Sequence, residues 1–294
     1  MMELVIPMHK TSFSLLLIFL ASCSPAPKPK DKPLALVSIA PYQFIVERVA
    51  GDALDVHTVV PQGANPHSYE PTARQVMGLS KGAIWFRIGE PFEEKIIPIL
   101  HEKEPNFWIQ DLREGIDLIP EVSGLACSHC AMEHLDRHIW MSPKLAAVQV
   151  EQIVKTLGER FPEKASLFQQ NGAMLIEDLL ELDSEIEAAL KYVEKRQLLV
   201  SHPAFGYFCR DYNIEQISVE YEGKDPRPHH LDEVLQEAVE HSLDFTLALP
   251  QYNNKVAQII AEKLRVPVKW IDPYSKNYFE MMRHLAHLIA ETDE

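Results

Sequence analysis

Short apolar runs and amphipathic runs alternate along most of the chain. Leu34–Ile39, Leu54–Val60, Ala83–Ile88 and Phe107–Ile109 are rich in β-branched and aromatic residues and read as strands. Tyr42–Val49, Pro71–Lys81 and Phe92–Glu102 read as the helices between them, the first stopped by Gly51. The same alternation returns later. Gln197–Val200, Ile214–Val219, Phe245–Leu249 and Val266–Ile271 read as strands. Phe205–Tyr212, Leu231–His241, Val256–Leu264 and Phe279–Ala290 read as helices. Strand and helix in turn at this spacing predict parallel sheets of the α/β class, in two halves alike in architecture but without a residue-level repeat. From Pro162 to Lys195 the rhythm breaks. Apolar residues at 168, 175, 176, 179, 182, 186, 190 and 193 step by three and four, the mark of one helix face. One helix of this extent would measure about 50 Å at 1.5 Å per residue and would bridge the halves. The other reading is two helices parted near Gly172, the run's only glycine.

The first residues stand outside this pattern. Ser12–Ala21 is apolar but too short to span a bilayer, and His9 and Lys10 precede it. It reads as a signal peptide over residues 1–22. Leu20-Ala21-Ser22-Cys23 resembles a bacterial lipobox, in which Cys23 becomes the lipidated first residue; an unlipidated signal peptide cleaved nearby is the alternative. Residues 24–33, S-P-A-P-K-P-K-D-K-P, form a Pro/Lys tether reaching roughly 30 Å. The expected organisation is 1–22 signal, 23–33 anchor and tether, 34–161 N-terminal lobe, 162–196 linking helix and 197–294 C-terminal lobe.

Charge narrows the partners. A formal net charge of -15 argues against nucleic acid and suits a protein that meets cations, although acidic surfaces often serve only solubility. Outside the cytoplasm, Cys127 and Cys130 of the C-x-x-C could close as a disulfide, leaving Cys209 as a small buried apolar residue.

In open parallel sheets, ligands bind beyond the carboxyl ends of strands. Few side chains there can do chemistry. His67 tips the loop after the second strand, stiffened by Pro61, Gly63, Pro66 and Pro71. His202 follows L-L-V-S and precedes Pro203, which disfavours helix at the histidine. Asp272 follows V-K-W-I and precedes Pro273. His138 lies in Leu135-Asp136-Arg137-His138-Ile139-Trp140, ahead of a helical run from Pro143. Three imidazoles and one carboxylate make a closed four-ligand set for a divalent first-row metal, two ligands from each half. Each has a plainer reading: a surface turn for His67, packed core for His138 beside Trp140, a turn or cap for Asp272. His57, His101, His241, His284 and His287 lack loop restraint and read as surface or structural. Gly78-Leu79-Ser80-Lys81-Gly82 spells G-x-S-x-G, but helix precedes and strand follows, the reverse of a nucleophile elbow. H-E-x-x-H and P-loop patterns are absent from the sequence.

Four motifs in order carry a resemblance: P-Q-G-A-N-P-H-S-Y-E-P from Pro61, H-I-W-M-S-P from His138, V-S-H-P-A-F-G-Y-F from Val200 and I-D-P-Y from Ile271. Together they resemble the zinc/manganese solute-binding lipoproteins of bacterial ABC transporters over residues 34–294. The resemblance implies two lobes, each a mainly parallel four-stranded sheet flanked by helices, joined by one long rigid helix. It implies zinc, manganese or iron held in the interlobe cleft by His67, His138, His202 and Asp272. It also implies delivery to an ABC-transporter permease by a monomeric, periplasmic or cell-surface protein anchored through lipid, not an enzyme. Two departures stand out. Asp136-Arg137-His138 replaces the family's frequent Asp-Pro-His, and the His-rich loop of zinc-specific relatives shrinks to Cys127-Ser128-His129-Cys130 and His134. That segment is a disulfide-clipped turn or a metal-collecting loop. The competing functions are a metal-dependent hydrolase with Glu70 or Glu220 as base, and a surface adhesin with a structural metal.

Overall fold

The computed structural model describes residues 32–121, 135–194, 197–220, 228–240 and 243–291. Residues 1–22, Cys23, most of the tether, Cys127 and Cys130 lie outside these, so the expectations placed on them do too.

The first sheet is built from β1 (Leu34–Val37), β2 (Asp55–Thr58), β3 (Ile84–Arg87) and β4 (Trp108–Asp111). Helices α1 (Ala40–Ala50), α2 (Ala73–Leu79) and α3 (Pro91–Lys103) connect them. All pairs are parallel, in the order β2-β1-β3-β4. After α4 (Pro143–Arg160) and α5 (Ala165–Leu190) comes β5 (Gln197–Val200), α6 (Gly206–Asp211), β6 (Glu215–Ser218) and α7 (Pro228–Glu240). The second sheet is completed by β7 (Thr246–Ala248), α8 (Lys255–Leu264) and β8 (Val268–Trp270), and α9 (Tyr278–Ala290) follows. Its order, β6-β5-β7-β8, repeats that of the first, again all parallel. The central strands are buried on both faces: Ala35, Leu36 and Val37 of β1 and Ile84, Trp85 and Phe86 of β3 are all in the core. Continuous apolar runs rather than alternation are what such strands require. Each order reverses beside the first strand, between β1 and β3 and between β5 and β7, and chain connections diverge there to leave a crevice.

The long helix departs from its expected span. Pro162–Lys164 forms a separate 3₁₀ turn and α5 has 26 residues, about 39 Å rather than about 50 Å. It runs unbroken through Gly172, which overturns the two-helix reading. The glycine is there for packing: a Cβ on it would lie 2.3 Å from Cγ2 of Val154 on α4. Nor is α5 a bare strut between lobes. Helices α1, α4 and α9 pack around it. Its buried face, Phe168, Leu175, Leu179, Leu182 and Ile186, joins one apolar interior that includes β1, β3 and β5 residues. Smaller shifts have local causes. Helix α2 starts after Thr72, whose side chain and that of Gln75 form a capping box, so Pro71 stays outside. Strand β4 slides to Trp108–Asp111 to pair with β3. Cys209 is a free, buried thiol whose pKa burial pushes up. Among the described residues no helix is long and apolar enough to cross a membrane.

Candidate metal centre

Each sequence-predicted histidine is held by its own stretch of chain. Pro66–Ser68 makes a 3₁₀ turn in which the His67 N–H donates to the Asn65 side chain at 2.9 Å. The His138 N–H donates to Asp136 Oδ1 at 2.8 Å. His202 follows β5, its carbonyl accepting the Ala204 N–H at 2.8 Å, and its ring stacks on Tyr252 with centroids 3.9 Å apart. Although 64 to 135 residues separate them in sequence, the three rings meet between the sheets. Ring centroids are 5.1 to 5.3 Å apart for all three pairs. His138 and His202 are buried, and the His67 side chain keeps 24% of its surface.

Every Nδ1 is occupied by a carboxylate. His67 bonds Glu90 Oε2 at 2.8 Å, His138 bonds Asp136 Oδ1 at 2.7 Å, and His202 bonds Glu220 Oε2. A carboxylate can only accept, so the imidazole proton is fixed on Nδ1 and Nε2 keeps its lone pair. The three Nε2 atoms face one another: His67 to His202 is 3.2 Å and His202 to His138 is 3.4 Å. Three lone pairs converging this closely repel unless a cation sits among them. Ligand nitrogens about 2.0–2.1 Å from a tetrahedral zinc lie about 3.3–3.4 Å apart, so the spacing fits such an ion.

Burial and neighbouring charge act on these groups in opposite senses. Burial opposes a charge on His67, but the negative charge and hydrogen bond of Glu90, with Glu121 behind, carry its pKa above the ordinary imidazole value. Burial drives His202 well below that value, and positive charge on His67 and His138 drives it further. Burial would raise Glu90, yet His67 and His138 hold it below the usual carboxylate range. Glu90 Oε1 is buried without a hydrogen-bond partner.

Glu90 owes its position to Glu93. That buried carboxylate accepts Ser38 Oγ–H at 2.5 Å and the N–H groups of Ile88 at 3.1 Å and Gly89 at 2.7 Å. Gly89 has φ +86°, and a side chain there would run into the Arg113 guanidinium.

The fourth expected ligand is tied to its own turn. Asp272 is not among the groups that gather; its Oδ1 accepts the Tyr274 N–H at 2.9 Å and Gln251 Nε2–H at 2.8 Å. It caps the turn after β8, the commoner role of Asp before Pro. Glu70 is also apart, exposed and paired with Lys95 at 2.5 Å. The carboxylates Glu90 and Asp136 and the rings of Tyr252 and Tyr274 escaped sequence reasoning as site residues, and Glu220 entered it only as a base. A signal existed for Glu90, which follows β3 and precedes Pro91 as His202 follows β5 and precedes Pro203.

With the geometry in place, comparison supplies the kinship. A Chlamydia muridarum protein named for metal binding is 31% identical over 257 residues, 87% of this chain and 90% of that one. The high-affinity zinc uptake system protein ZnuA of Bacillus subtilis is 24% identical, covering 80% of this chain and 76% of its own. A crystal structure of ZnuA superposes with TM-score 0.83 at 30% identity, over 90% of this chain and 100% of that one. Residues 36–292 match the family described as zinc-uptake complex component A, periplasmic. The chain is a member of that family of periplasmic solute-binding proteins.

Proposed function

We propose that this protein captures a divalent transition metal, zinc in the first place, between its two sheets and delivers it to an ABC-transporter permease. The ligands are the Nε2 atoms of His67, His138 and His202. The observation that carries this reading is the triple carboxylate–imidazole arrangement: three lone pairs aimed at one point, each ring locked from behind. Zinc is favoured by the tetrahedral spacing and by raw affinity for imidazole over manganese and iron. A relative at 18% identity has a manganese-bound structure, and manganese and iron are the ions to compete against zinc. The organisation that goes with this is a signal peptide over 1–22, a lipid-anchored Cys23 on the tether 23–33, lobes at 34–161 and 197–294 and the linking stretch 162–196. In this reading the protein works as a membrane-anchored monomer outside the cytoplasm, and Cys127 and Cys130 form a small disulfide-clipped turn.

Hydrolysis has little support. Glu220 already accepts from His202, Glu70 is tied to Lys95 outside the site, and the family is one of transport proteins. The test is binding itself. Zinc at 100 times its Kd stabilises a protein that binds it only when folded by about 2.7 kcal/mol. Melting of the purified protein that responds to neither zinc nor manganese overturns the proposal, and unchanged zinc uptake in cells lacking the protein overturns the delivery step.

A further inference from the structure

Three imidazoles leave one position of a four-coordinate ion to another donor, and two phenols lie beside them. Tyr274 Oη lies 3.2 Å from His138 Nε2, and Tyr252 Oη lies 2.8 Å from Tyr274 Oη. Because Asp136 holds the Nδ1–H of His138, the Nε2 atom has a single lone pair to offer. That lone pair faces both Tyr274 Oη and, at 3.4 Å, His202 Nε2. The phenol oxygen therefore sits on the side of the ring where an ion is held. Its distance from the imidazole nitrogen equals the distance the nitrogens keep from one another. In the metal-free protein the Tyr274 O–H donates to His138 Nε2. An ion that takes the lone pair removes this acceptor; the phenol proton then leaves to solvent, one proton released per ion bound, and the phenolate oxygen, already receiving the Tyr252 O–H, turns to the cation.

The turn that carries Tyr274 is fixed on several sides. Asp272 Oδ1 accepts the Tyr274 N–H, Gln251 holds Asp272, and the Pro273 carbonyl accepts Trp140 Nε1–H at 2.8 Å. Tyr274 is buried, and its ring lies 5.5 Å from Trp140. Asp272 thus serves the site through the residue it orients.

Building on the binding function above, we propose that Tyr274 Oη is the fourth donor to the ion, closing an N₃O shell, with Tyr252 as a positioning residue. A closed four-coordinate shell suits zinc, whereas manganese favours six oxygen-rich positions. Tyr274 is in this way a determinant of zinc over manganese.

A crystal structure of the zinc-loaded protein tests this directly, with Oη expected within about 2.2 Å of the zinc. An Oη beyond about 3 Å, with water in the fourth corner, overturns the proposal whatever the variants do. Chelator competition with Tyr274→Phe is expected to show zinc weakened by about 10–100-fold and the zinc-over-manganese ratio narrowed. An equal loss for both metals means the phenol only props the site and overturns the donor role. Tyr252→Phe removes only the supporting hydrogen bond and is expected to weaken zinc less; the reverse order overturns the assignment. If the unaltered protein binds neither metal, the binding function fails and this inference with it. Tight zinc binding with a distant Oη sinks the inference alone.

Discussion

At the scale of residues, the site is a set of paired groups, and its chemistry follows from which nitrogen each partner takes. Replacing Glu220 by Gln keeps the shape beside His202 but removes the charge that makes the ring a better donor. Zinc affinity is expected to fall about 10–100-fold by competition titration, with little change in fold. Acid sensitivity belongs to His67. Its pKa is raised, so a proton competes with metal at pH values already above the ordinary imidazole range. Zinc affinity is expected to fall by about tenfold per pH unit once pH drops through that raised value. Glu90→Gln removes the main cause of the rise and shifts the onset to lower pH, which a series of binding curves reads out. In the metal-free protein the two histidines pull stability in opposite directions. The lowered pKa of His202 gives stability present above the unfolded-state value and lost as pH falls below it. The raised pKa of His67 gives stability present below the unfolded-state value and lost as pH rises through the folded one. Asp272→Asn keeps an acceptor for the Tyr274 N–H and is expected to lower zinc affinity by well under the about 10–100-fold cost of a lost metal-site group. A larger loss would return Asp272 to the ligand set.

At the scale of elements, strand ends place His67 and His202, the segment before α4 places His138, and the α4–α5 contact holds the frame. Gly172 is the sensitive point of that contact. Alanine there gains about 0.5–1 kcal/mol of helix propensity but meets Val154, whose branched side chain has little rotamer freedom. Overpacking of this kind costs about 1–3 kcal/mol, so Gly172→Ala is expected to be net destabilising in urea melts. Val154→Ala on the same background should recover much of the loss, because it reopens the space the new methyl needs. Recovery would locate the cost in the helix contact rather than in the glycine's own backbone.

At the scale of the whole molecule, one apolar interior reaches both sheets and the bridging helix, and a second, smaller cluster around Leu199, Ile217, Val234 and Ile260 packs on the second sheet. Polar ties cross between the halves beside it: Tyr207 Oη–H to the Asp136 carbonyl at 2.9 Å, and Tyr278 Oη–H to the Trp140 carbonyl at 2.6 Å. A shared interior of this sort couples the halves, so calorimetry of the metal-free protein is expected to give a single transition rather than two. Zinc at 100 times its Kd should raise the midpoint by about 5 °C, from about 2.7 kcal/mol spread over the unfolding entropy of a chain this long.

The sequence by itself determined the parallel α/β architecture in two halves, the positions of His67 and His202 on loops beyond strand ends, and that of His138 ahead of a helix. Those features depend on periodicity, prolines and glycines within a few residues of one another. Only the tertiary structure decided what surrounds the imidazoles. Glu90 and Glu220 reach them from other strands, and Tyr274 Oη comes within 3.2 Å of His138 Nε2 while Asp272 Oδ1 accepts the N–H of its own turn. Which of two neighbouring side chains faces a distant ring is set by long-range packing, and no local pattern records it. The same holds for α5, whose apolar period announced a helix but whose length was fixed by the helices packed around it.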